Sequence, residues 1–81
     1  MPTVHRFRGL RVVVYPNDHG PAHVHVIGKG CEAVFELNAP GGPPALRENY
    51  GFIMRELSAI VTELGSQLEH LSTEWRAIHG D

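Results

Sequence analysis

The stretch "AHVHVIGKGCEAVFEL", residues 22–37, holds two short runs rich in β-branched and aromatic residues on either side of Gly-Lys-Gly, the pattern of a β-hairpin. Its parity decides the fold. Residues that face each other across an antiparallel pair project from the same side of the sheet. A two-residue Lys29-Gly30 turn therefore sets Val26 opposite Ala33, Val24 opposite Phe35 and His23 opposite Glu36. One face then reads Val24, Val26, Ala33, Phe35 and Leu37, a core; the other carries His23, His25, Glu32, Val34 and Glu36. A three-residue loop would mix the histidines into the apolar set, so the even turn is the reading adopted.

Upstream, "LRVVVY", residues 10–15, is a further strand, and "PNDHGP" after it is a turn built from Pro, Asn, Asp and Gly. Downstream, "NAPGGPP", residues 38–44, cannot continue a central strand, since proline lacks the ladder N–H. "ALREN", residues 45–49, reads as a short fourth strand at the edge. From Phe52 the apolar residues Ile53, Leu57, Ile60, Val61 and Leu64 recur at helical spacing, with Gly65 as the stop. Ser66 and Glu69 form an S-x-x-E capping pattern ahead of a second stripe of Leu68, Leu71, Trp75 and Ile78. The expected architecture is α+β: a three- or four-stranded antiparallel sheet with a C-terminal helical hairpin on its apolar face.

A chain of 81 residues makes one domain, residues 1–81, that hides about 60 to 65% of the surface its unfolded form exposes. Its 42% apolar and 20% charged residues exclude a disordered, collagenous or membrane class. No apolar run approaches a membrane span and no secretory leader is recognisable, so the chain reads as cytoplasmic. The single Cys31 cannot form an internal disulfide and begins an apolar strand, where it acts as a small hydrophobe. With a net charge of −2, a nucleic-acid partner would need a local basic patch, and Arg6, Arg8 and Arg11 are the candidates for holding phosphate.

Chemistry concentrates in "DHGPAHVHV", residues 18–26, which carries three of the six histidines. His-x-His on a strand places two imidazoles on one face about 6.5 to 7 Å apart, close enough to converge on an ion. Candidate ligands for a divalent transition metal such as zinc are Asp18, His19, His23, His25 and Glu36. His23 and His25 are also the candidate acid–base pair, because imidazole shuttles protons near neutrality. His5, His70 and His79 read as surface residues. No P-loop, Rossmann fingerprint, nucleophile elbow, H-E-x-x-H or CxxC pair is present.

"MPTVHRFRGLRVVVYPNDHGPAHVHV", "EAVFEL" and "EWRAIHG", in that order, resemble a family of very small bacterial and phage-associated proteins catalogued as a domain of unknown function. Its members carry a D-H-x-P-P-H-F-H-V-like segment, matched here at Asp18, His19, Pro21, His23 and His25, with Ala22 and Val24 as departures. The resemblance implies genes that sit beside another small gene in toxin–antitoxin-like pairs. It implies no catalytic residue. The function expected is a cytoplasmic partner-binding component of such a module, its partner the small protein encoded next door, with a homodimer or a nucleic acid as the other partners. The alternatives are a metal-binding protein and a small ribonuclease-like toxin that uses the histidine cluster.

Overall fold

A computed structural model describes residues 3–79. The Gly-Lys-Gly hairpin forms as its parity requires. Strand β3 (His23–Gly28) pairs with β4 (Cys31–Glu36), with His23 opposite Glu36, Val24 opposite Phe35 and Val26 opposite Ala33. Lys29 and Gly30 both take positive φ, 55° and 75°, the conformation of a two-residue turn whose twist matches that of the strands. Before it, β2 (Leu10–Val13) pairs with β3, and after it β5 (Ala45–Tyr50) pairs with β4.

A fifth strand extends the expected three or four. It is β1 (Thr3–Phe7), joined to β2 by a second turn of the same kind at Arg8 (φ 51°) and Gly9 (φ 78°). The apolar residues of this run, Val4 and Phe7, stand three apart and so break the alternation of two, and the pairing with β2 is irregular between Thr3 and His5, so the strand does not show in the sequence pattern. All pairings are antiparallel, and the strand order in space is the order in the chain, β1-β2-β3-β4-β5. Of the opening Met-Pro-Thr and closing Ile-His-Gly, Met1, Pro2 and Gly80 lie outside the described residues.

Two helices follow, α1 (Met54–Ser66) and α2 (Leu68–His79). Asn49 sets the entry to α1: its side-chain amide donates to the Phe52 carbonyl at 2.9 Å, and its side-chain oxygen accepts the Phe52 N–H at 3.1 Å. The Glu56 carboxylate accepts the Ile53 N–H and caps the helix start. α1 runs through Gly65 to Ser66, past the expected stop. Ser66 does not cap α2 either, because its hydroxyl donates to the Glu63 carbonyl inside α1 at 2.7 Å. Gln67 alone joins the helices, and their apolar stripes enter one core cluster with the sheet.

The core gathers Val12, Val14, Val24, Val26, Ala33, Phe35 and Leu37 from the sheet with Leu57, Ile60, Leu64, Leu71 and Trp75 from the helices. Full burial of one such side chain stabilises the fold by about 1.5–3 kcal/mol, a large share of what a domain this small retains. α2 crosses toward β1, where the His70 ring donates to the Val4 carbonyl at 2.9 Å. Its last turn reaches the Asp18 turn at the opposite end of the sheet from the two glycine turns.

Candidate metal centre

Pro16 and Asn17 occupy the middle of a turn closed by the Asp18 N–H, which donates to the Tyr15 carbonyl at 3.0 Å. The turn brings the Asp18 carboxylate over the start of β3. There one oxygen, Oδ2, accepts from His23 Nε2 at 2.9 Å and from His25 Nε2 at 3.0 Å. The strand alternation puts both rings on one face, and their centroids lie 5.5 Å apart, nearer than the backbone spacing alone would set them.

The far nitrogen of each ring is also engaged. His23 Nδ1 donates to the Pro21 carbonyl at 2.9 Å, and His25 Nδ1 donates to Glu32 Oε2 at 3.1 Å. Both rings therefore have oxygen acceptors at both nitrogens, and only a doubly protonated ring satisfies that arrangement with hydrogen bonds alone. His23 is buried, 5% exposed, beneath Trp75 at 5.1 Å between centroids, while the Tyr15 ring meets His25 edge-on at 4.4 Å. Burial by itself would raise the Asp18 pKa. The hydrogen bonds from His25 and His23, with their charge, outweigh it and hold the carboxyl below its ordinary value.

Among the described residues, Asp18, His23 and His25 form the one group of three such side chains whose ligand atoms all lie within 4.8 Å of one another. The other sequence candidates stand apart from it. His19 is exposed in the same loop. Glu36 faces His23 across the ladder, as expected, yet Glu32, diagonal to His25, is the carboxylate that reaches a ring. Arg6 and Arg11 face each other across β1 and β2, Arg8 sits in the turn, and none of the three hydrogen-bonds to the histidines.

Two histidines read as surface residues are half-buried and make specific contacts. His5 Nε2 pairs with Glu63 at 2.7 Å. His79 stacks on Trp75 at 3.8 Å between centroids, with Nε2 2.8 Å from the Asp18 carbonyl oxygen and Nδ1 3.0 Å from that of Trp75; a neutral ring donates to one of them and a doubly protonated ring to both. The end of α2 thus holds the backbone of the residue whose side chain joins His23 and His25. Its four-residue spacing from Trp75 was the one available signal, since residues so spaced share a helix face.

A protein-family model described as "Domain of unknown function (DUF4160)" matches residues 9–76. The chain belongs to this family. The DUF4160 match takes in the whole Asp18–His23–His25 group, whereas β1 and His79 fall outside it. No curated protein matches the chain, and no solved structure does.

Proposed function

We propose that this DUF4160 domain binds a divalent transition metal through Asp18, His23 and His25. The observation that carries the reading is the double engagement of each ring: Nε2 converges on the Asp18 oxygen while Nδ1 faces Pro21 or Glu32. With an ion at the convergence point, each imidazole is neutral, coordinates through Nε2 and keeps its proton on Nδ1 for the acceptor behind it. This is the arrangement by which proteins orient histidine ligands. The three ligand atoms all lie within 4.8 Å of one another, and a set of three protein ligands would leave coordination positions for water or substrate. Asp18, with its side chain 31% exposed, forms the solvent side of the site.

The test is calorimetric titration of chelator-treated protein with zinc, nickel and manganese, alongside a His23→Ala, His25→Ala double variant. The single tryptophan, packed on His23, gives a second, fluorescent readout. Expected is binding tighter than about 10 μM in the wild type, lost in the double variant and weakened by acid as protons compete for the ligands. Weaker binding, or a double variant with unchanged affinity, refutes the proposal.

A second reading, a partner-binding component of a toxin–antitoxin-like module, draws on β5. This edge strand is exposed along its length, and Leu46, Tyr50, Ile53 and Met54 are large apolar side chains open to water beside it. The occupant proposed is an extended strand of the small protein encoded next door, added to the sheet edge. Co-expression and size-exclusion chromatography test it, and separate elution of the two proteins counts against it. The ribonuclease reading has the histidines alone in its favour. No helix among the described residues is long and apolar enough to cross a membrane.

A further inference from the structure

We propose that the glycine-turn end of the sheet, remote from the histidines, is a second site, for a phosphate monoester. A cavity of about 120 Å3 lies there, where the β1–β2 turn, the β3–β4 turn and the first turn of α1 meet, and Arg8, Lys29 and Arg55 all line it. Three of the chain's seven lysines and arginines therefore surround one small space in a protein whose net charge is −2. Among the described residues every ion pair belongs to a histidine, so none of these three cations forms an ion pair with a carboxylate. Glu56 also lines the cavity, but its side chain accepts the Ile53 N–H at 3.1 Å and is committed to the helix start.

Two of the cations sit where the fold itself does not favour them. Arg8 and Lys29 occupy the first positions of their turns with φ of 51° and 55°. Asn, Asp or Gly is preferred there, and a longer side chain costs about 1 kcal/mol in that conformation. Neither turn needs a cation for its geometry. Both supply one, on the same side of the molecule.

The ligand class follows from charge and size. Three positive groups with one carboxylate leave two positive charges, which match a phosphate monoester carrying close to two negative charges at neutral pH. A phosphodiester, with one, fits less well, and no basic stripe exists to follow a polymer. The volume is well below the roughly 300 Å3 at which pockets for drug-sized molecules begin. It accommodates one phosphate group, held by the planar forks of Arg8 and Arg55. The apolar lining, Phe7 and Ile60 among it, suits a hydrocarbon or aromatic substituent on the ester.

Inorganic phosphate, phenyl phosphate and a phosphoserine peptide, titrated calorimetrically into the full chain at one salt concentration, separate the possible sources. An RNA oligomer without terminal phosphate serves as the phosphodiester control. Expected is saturable binding of phenyl phosphate at or below about 1 mM, tighter than inorganic phosphate. The peptide binding more tightly than phenyl phosphate would assign the same site to a phosphorylated side chain. In an Arg8→Asn, Lys29→Asn double variant affinity falls at least about tenfold, while the melting temperature holds or rises because Asn-Gly is the preferred turn pair. Arg55→Gln, on the helix instead of a turn, lowers affinity similarly, and Arg47→Gln on β5 leaves it unchanged. Metal chelation leaves phosphate binding unaltered. No saturation by about 10 mM with any phosphate monoester, equal affinity in the double variant, or tighter binding of the RNA oligomer overturns the proposal.

Discussion

Replacing His79 with alanine tests whether the last turn of α2 holds the Asp18 turn in place. The ring nitrogens lie 2.8 Å from the Asp18 carbonyl oxygen and 3.0 Å from that of Trp75. A neutral ring donates one hydrogen bond, about 1 kcal/mol net, and a doubly protonated ring donates both, roughly 2 kcal/mol. Its stack on Trp75, 3.8 Å between centroids and 22° from parallel, adds about 0.5–1 kcal/mol. Alanine is the better helix former and returns about 0.5 kcal/mol. The expected net loss is about 1–2 kcal/mol. In a domain of this size that lowers the melting temperature by roughly 4–16 °C. The assay is thermal unfolding followed by far-UV circular dichroism, with His70→Ala as the comparison, because His70 is exposed and holds a single carbonyl. A drop below about 3 °C for His79→Ala, or an equal drop for His70→Ala, would show that the contact with Asp18 does not stabilise the fold.

Phe35 is fully buried between sheet and helices, so Phe35→Ala costs about 3–5 kcal/mol and should leave the chain largely unfolded at 37 °C by circular dichroism. A Cβ on Gly28 would stand 2.6 Å from Leu10 Cδ2 and 3.0 Å from the Gly9 carbonyl oxygen. Gly28→Ala should thus lose about 1–3 kcal/mol in urea unfolding, and an unchanged midpoint would contradict the closeness of β2 and β3 there. The folded Asp18 carboxyl titrates below its unfolded value, so its contribution to stability is complete above about pH 3.9 and fades as pH falls through the lowered value. Asp18→Asn should flatten that acid limb in a pH series of melting curves. Glu32→Gln should weaken metal binding about tenfold by loosening His25, whereas Glu36→Gln should not, and the reverse order would restore the facing carboxylate as the relevant one.

The β3–β4 register was readable because a period of two tolerates no slip: one residue either way would have put histidines in the core and valines in water. The Asp18, His23 and His25 group was readable for a related reason, since eight consecutive residues and one turn contain it. Where sequence reasoning went astray, the competing physics was local or distant. At Ser66 the hydroxyl has two partners within reach, a helix start ahead and a carbonyl behind, and the S-x-x-E pattern does not say which one it takes. At His23 the pairing rule names Glu36 as the facing residue, but the ring takes Asp18 and the Pro21 carbonyl instead. His25 faces Val34 and has a carboxylate on each diagonal, Glu32 and Glu36, and parity alone does not say that Glu32 is the one whose side chain leans to the ring. At His79 the partner lies 61 residues upstream, and no pattern of spacing bridges that gap.

A sheet whose spatial order repeats its chain order can form by short steps, each strand closing on the one made just before it. Loop-closure entropy is small at every such step. The exception is the return of α2 to the Asp18 turn, which must close most of the chain at once. The contact of His79 with the Asp18 carbonyl is thus the last of these to close, and it is lost when the last turn of α2 opens. Native-state hydrogen exchange should accordingly find two levels of protection, with the central strands exchanging only on global unfolding and the amides near His79 by a cheaper local opening. The hold of α2 on the Asp18 turn would then be made and unmade on its own clock while the sheet stays folded.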